Sequence, residues 1–131
     1  FLPLPATTYA QMLGDKMLKH NSDVWLVNTG WSGGPYGVGK RMDIRYTRAM
    51  IKAALNGELK TVEFKLDPIF RVFVPQSCPG VPAEILNPKN TWKDKDAYDR
   101  KAKELAKRFQ ENFKKFPDAF EEVREAGPVV D

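Results

Sequence analysis

The chain is poor in the residues that bind metals and cross-link secreted proteins. It has one cysteine, Cys78, and one histidine, His20, among 131 residues. A lone cysteine excludes an internal disulfide, and so small a set excludes a Cys-rich or paired-His metal site. No apolar run approaches the roughly 20 residues of a membrane helix. The first residues lack the basic flank and apolar core of a signal peptide. There are no internal repeats and no low-complexity segments. One cysteine and no export signal lead us to expect a reducing, cytoplasmic setting. The chain also opens without Met, at Phe1 in "FLPLPATTYA", and reads as a piece of something longer.

What is present is ordinary for one soluble globular domain: 42% hydrophobic and 29% charged residues. The net charge of +4 is localised, because residues 93–116 hold nine Lys/Arg and five Asp/Glu while the remainder holds twelve of each. Within that stretch acids precede bases by four residues at Asp96/Arg100, Asp99/Lys103, Glu104/Arg108 and Glu111/Lys115. That order favours surface pairing on a helix. We read a solvated helix face there in preference to a nucleic-acid stripe.

Periodicity places the elements. Thr8 with Gln11 reads as a capping box opening an amphipathic helix over 8–20, with Tyr9, Met12, Leu13 and Met17 on one face, stopped at "HNSD". "VWLVNTG" suits a strand over 24–29 buried on both faces. A glycine-rich loop fills 30–42. A second helix spans 47–56, with Thr47 as cap and Gly57 as stop. Alternating runs over 61–66 and 69–74 read as strands near a sheet edge or as a hairpin-like pair. Pro75, Pro79, Pro82 and Pro88 make 75–92 an irregular loop. A long helix over 94–116, with Tyr98, Ala102, Leu105, Phe109, Phe113 and Phe116 as its stripe, and a short one over 118–126 complete the chain. The class is mixed α and β.

The stretch with chemical content is "GGPYGVGKRM", residues 33–42. From Gly34 it reads G-x-x-x-x-G-K and then Arg41, where a phosphate-binding loop carries Ser or Thr. In such a loop a strand, a glycine turn and a helix follow at once, the backbone N–H groups hold phosphate, and the hydroxyl binds magnesium. Here the hydroxyl is missing, and "RMDIR" separates the loop from the expected cap at Thr47. Two physical requirements fail, so the phosphate-loop reading is rejected. Three readings stay open on these residues. One is a plain surface turn carrying Lys40, Arg41, Arg45 and Arg48. Another is a loop contacting a base or ribose. The third is a small basic module that stacks RNA on Trp31 and Tyr36 or binds a partner protein.

The remaining candidates are structural. His20 suits the C-terminus of its helix, and Cys78 beside Pro79 is expected to pack rather than react. Trp25, Trp31 and Trp92 suit core or loop anchors, and Glu63 and Asp67 form no convincing acid–base pair.

A wider match goes further. "WLVNTGWSGGPYGVGKRMDIRYTRAMIKAALNG", with "FLPL…YAQMLGDKM" before it and "VPQSCPGVPAEILNPKNTW" after it, resembles the C-terminal part of ATP-dependent phosphoenolpyruvate carboxykinases. The likeness runs from Phe1 to about Phe116 in the same order and spacing. It implies that residues 1–131 are the C-terminal portion of a mononucleotide-binding domain, with helices packed on a small mixed sheet. It implies a monomeric cytoplasmic lyase of gluconeogenesis that converts oxaloacetate and ATP to phosphoenolpyruvate, carbon dioxide and ADP with Mg2+ and Mn2+. It also implies that the family's true phosphate loop, metal ligands and oxaloacetate contacts lie outside this chain, which is then inactive alone and meets neither nucleic acid nor membrane. The positions matching ATP contacts are Arg41 and Met42, lining the adenosine portion, and Thr47, through its hydroxyl. Two departures stand out: "LPAT" at Leu4–Thr7 replaces the family's L-H-P-T, and Met42 stands where Ile is frequent, keeping an apolar wall.

Overall fold

A computed structural model describes residues 3–130. Helix α1 spans Ala6–His20 and starts before the expected Thr8 cap: Pro5 holds the N-cap position, its carbonyl accepts from the N–H groups of Thr8 and Tyr9, and no side chain caps the end. The capping box at Thr8 and Gln11 is therefore not formed, because the chain is already helical there. The stop is where the sequence places it. Asn21 turns left-handed at φ 46° and returns its N–H to the carbonyl of Met17.

Residues 24–29 form no strand. The first strands are instead β1 (Trp31–Ser32) and β2 (Lys40–Arg41), an antiparallel pair that closes the glycine loop on itself. Helix α2 follows at Ile44–Leu55, three residues earlier than expected, because Asp43 and not Thr47 is its cap. Aspartate caps at least as well as threonine and sits directly before the first apolar residue. A 3-10 turn at Glu58–Thr61 takes the start of the expected 61–66 strand.

The next hairpin is shorter than its two sequence runs, with β3 at Phe64–Leu66 and β4 at Phe73–Pro75, and of the two expected arrangements it is the hairpin-like pair that forms. Asp67 closes its turn: one carboxylate oxygen accepts from the N–H groups of Ile69 and Phe70 at 2.9 and 2.7 Å. Arg71 then adopts φ 56°, a conformation unusual outside glycine.

The proline-rich 75–92 region is not wholly irregular. It holds two single-turn helices, α3 (Ala83–Leu86) and α4 (Pro88–Thr91), the second capped by Asn87 with proline in its first turn. Helix α5 spans Lys95–Phe113, capped by Asp94, and α6 spans Glu121–Glu125.

The expected small mixed sheet is replaced by two separate two-stranded hairpins. A parallel pair needs a neighbour across a crossover, and the one long apolar strand candidate finds none. The main core gathers Ala53 of α2, Leu59, Cys78 and Val81, with Trp25, Met50, Val62 and Ile85 packed around them. Along α5 only Ala102 and Ala106 are buried, while Leu105 and Phe109 of the expected stripe stay about half exposed. Of the four expected surface pairs on α5 only Glu104–Arg108 forms an ion pair. Asp99 instead meets Lys89 at 2.6 Å, Glu111 meets Lys114 at 2.7 Å, and Arg100 lies 3.6 Å from Asp94. Long side chains choose among near-equal neighbours on an exposed face, so spacing alone does not fix partners.

Candidate functional site at the junction of β2 and α2

The glycine loop is shaped by its own backbone. Trp31 lies opposite Arg41 and Ser32 opposite Lys40, and the ladder continues through the Met42 N–H, which donates to the Gly30 carbonyl at 3.1 Å. At the tip the N–H groups of Val38 and Gly39 both donate to the Pro35 carbonyl, at 3.0 and 2.9 Å. A Cβ on Gly39 would collide with the carbonyl oxygens of Gly34 and, at 2.6 Å, Ser32. Gly33, at φ 80°, donates its N–H to the Thr91 hydroxyl at 2.9 Å, and Thr91 in turn donates to the Pro88 carbonyl at 2.7 Å. The glycines therefore serve hairpin closure and the seating of the loop on α4.

This geometry differs from a phosphate cradle in two ways. The loop joins strand to antiparallel strand rather than strand to helix. The helix that follows has a carboxylate at its N-terminus: Asp43 accepts from the Arg45 N–H at 2.9 Å and binds the Arg45 guanidinium through both oxygens, at 2.6 to 3.2 Å. The Arg45 hydrogen bonds hold the Asp43 carboxyl at about 2, below its ordinary 3.8, and the same contact raises Arg45. A negative charge already stands where a helix N-terminus would welcome phosphate.

Arg41, Met42 and Thr47 lie within seven residues across this junction. Arg41 ends β2 with an exposed side chain, and Lys40 precedes it on the same strand, also exposed. Consecutive strand residues point to opposite faces, so these two cations address different sides of the hairpin. Met42 is half-buried and lines an apolar groove of about 1050 Å³ together with Trp25, Val27, Met50, Phe64 and Phe73. Thr47 is half-buried in the second turn of α2, its N–H directed at the Asp43 carbonyl, and its hydroxyl bonds to no other described residue. Arg41 and Thr47 do not line the groove.

Asp43 is the residue that sequence reasoning missed. Its signal was available as an aspartate immediately before Ile44, where capping preference favours it over threonine. The other candidates differ in their burial. Cys78 is 6% exposed, its thiol pushed up by burial and then by Glu58. Trp31 and Tyr36 pack edge to face at 5.2 Å, and Trp92 packs likewise on Tyr98 at 5.7 Å. Trp31 and Tyr36 nonetheless stay exposed, at 46% and 83%. Among the described residues no three His, Cys, Asp or Glu side chains converge into a metal-binding group, and no helix is long and apolar enough to cross a membrane.

Comparison with known proteins places the chain in a family. A family profile described as phosphoenolpyruvate carboxykinase matches residues 1–84. Phosphoenolpyruvate carboxykinase (ATP) of Caldanaerobacter subterraneus subsp. tengcongensis is 62% identical over 128 residues, 98% of this chain and 25% of that protein. Phosphoenolpyruvate carboxykinase (ATP) 2 of Moorella thermoacetica is 58% identical over 130 residues, 99% of this chain and 25% of that protein. The Geobacillus kaustophilus phosphoenolpyruvate carboxykinase (ATP) is 56% identical over 131 residues, with 99% and 25% covered. The chain spans about a quarter of the length of these relatives, and the alternative of a small RNA- or partner-binding module finds no support among them. Identity of this depth along almost all of its residues, with the family profile matching residues 1–84, settles the affiliation: the chain belongs to the ATP-dependent phosphoenolpyruvate carboxykinase family.

Proposed function

We propose that this chain is the C-terminal portion of the nucleotide-binding domain of a longer, cytoplasmic and monomeric polypeptide that converts oxaloacetate and ATP to phosphoenolpyruvate, carbon dioxide and ADP. Within that parent polypeptide it contributes contacts to the adenosine end of ATP. Arg41 offers a planar cation that can lie against a base, as a lysine does poorly. Met42 supplies an apolar wall, and Thr47 holds a hydroxyl free to bond the nucleotide. The observation that supports this reading is the run of Arg41, Met42 and Thr47 within seven residues across the β2–α2 junction, at a helix start that Asp43 caps.

The chain supplies no reacting group in this reading. Mg2+ and Mn2+ would offset charge during phosphoryl transfer in the parent polypeptide, and the residues described here do not fit a site for either. With the phosphate loop and metal ligands expected elsewhere in the parent polypeptide, we expect the chain by itself to be inactive.

Thr47→Val in the parent polypeptide tests the assignment, since it keeps shape and removes one hydroxyl. A loss of about 0.5–1.5 kcal/mol in ATP binding, with oxaloacetate binding unchanged, is expected for one neutral hydrogen bond. Calorimetric titration that returns wild-type ATP affinity would remove Thr47 from the site.

A further inference from the structure

The glycine loop is held from outside at a single polar point. Among the described residues, 31–41 make one hydrogen bond beyond their own hairpin: the Gly33 N–H donates to the Thr91 hydroxyl, 58 residues away in sequence. The bond is half-buried and the approach is close, since a Cβ on Gly33 would stand 3.0 Å from the Thr91 carbonyl oxygen. Thr91 uses both functions of its hydroxyl here, accepting from Gly33 at 2.9 Å and donating to the Pro88 carbonyl at 2.7 Å. The second bond fixes where the proton points, so a lone pair faces the loop.

Thr91 is itself firmly seated. The Lys95 ammonium reaches back from the first turn of α5 and donates to the carbonyls of Lys89, Asn90 and Trp92, each at 2.8 Å. Those three bonds use every donor the ammonium has and close the C-terminal end of α4. Lys89 pairs with Asp99 at 2.6 Å, and Trp92 packs on Tyr98 at 5.7 Å, so α5 holds α4 through three contacts. On the loop side, Gly33 follows Ser32, which lies opposite Lys40, and Trp31 lies opposite Arg41. A two-stranded hairpin is marginal alone, so an outside anchor decides how this one is oriented.

We propose that Thr91 is a positioning residue for nucleotide binding: its hydroxyl, seated by α5, sets where the hairpin carries Arg41. It acts only through the Gly33 N–H and meets no atom of the nucleotide. This role deepens the adenosine-end reading of Arg41 and rests on it.

ATP and AMP titrations on the parent polypeptide test it, with Arg41→Ala, Thr91→Val, Thr91→Ser and the double variant Arg41→Ala/Thr91→Val. Valine keeps the shape and removes the hydroxyl, whereas serine keeps the hydroxyl. We expect Thr91→Val to weaken ATP and AMP alike, by about three- to tenfold, and Thr91→Ser to bind both nearly as wild type does. In the Arg41→Ala background the same Thr91→Val change should add less than about twofold, because the residue it positions is gone. Wild-type binding by Thr91→Val overturns the inference, whatever its melting temperature, and leaves the adenosine-end reading intact. Should Thr91→Val not fold, Lys95→Met, which loosens α4 from its other side, is read in its place with the same two outcomes. An equal loss in Thr91→Ser, or an undiminished loss in the Arg41→Ala background, also overturns it, since either makes Thr91 a purely structural residue. Wild-type binding of both nucleotides by Arg41→Ala refutes the underlying reading and this inference together.

Discussion

The carboxylate of Asp43 accepts the backbone N–H of Arg45 at 2.9 Å and holds the same residue's guanidinium at 2.6 Å. One side chain thus caps α2 and neutralises the first cation behind the glycine loop, fixing the turn between Met42 and Thr47.

Its protonation gives the first prediction. The folded carboxyl sits at about 2 against an ordinary 3.8, so its contribution is present above about pH 4 and is lost as pH falls through 2. Asp43→Asn keeps a capping oxygen and removes the charge. Melting curves of the parent polypeptide should place this variant below wild type at pH 6, with the gap closing toward pH 2. An equal gap at both values would mean that the ion pair contributes nothing.

The glycines make a contrasting pair. Gly39→Ala forces a Cβ into the carbonyls of Ser32 and Gly34, so the hairpin should open, with lower stability and weakened ATP binding. Gly14→Ala, in the middle of α1 with nothing within 4 Å, should be neutral or stabilising by about 0.5–1 kcal/mol. Thermal melting of both variants checks this; a tolerated Gly39→Ala would show that the loop closes differently.

Much of this was readable from residues. Helices α1, α2 and α5 fall close to where apolar spacing puts them, and the β3–β4 pair follows from alternation either side of a turn. The misses have local causes. Thr47 looked like a cap because it precedes an apolar stripe, yet Asp43 lies one turn earlier and starts the helix first. The single turns at α3 and α4 hide among prolines, although Asn87 before Pro88 is a helix-start signal. Residues 24–29 read as a strand because an apolar run suits one, yet they find no strand partner among the described residues. The proposed adenosine-end residues rest on resemblance, since a glycine loop with scattered cations also describes an ordinary turn.

Cys78 offers a test of the core. It lies against Ala53, Leu59 and Val81, and burial raises its thiol, so little thiolate is available at pH 7. A thiol reagent should modify it slowly in the native parent polypeptide and quickly once denaturant is added, with Leu59→Ala speeding the native reaction. Cysteines elsewhere in that polypeptide are separated by mapping the modified peptide. Fast native labelling of Cys78 would contradict the packing described.

The most direct measurement of the central claim is a pair of titrations, ATP and AMP, on Arg41→Ala and Lys40→Ala in the parent polypeptide. The two residues are neighbours on β2 with opposite outlooks. If the junction holds the adenosine end, Arg41→Ala weakens ATP and AMP by similar factors, because both nucleotides share that end, and Lys40→Ala changes either by less. If the loop cradled phosphates, Lys40→Ala would weaken ATP far more than AMP while Arg41→Ala stayed near wild type. We predict the first pattern; the second would contradict the account.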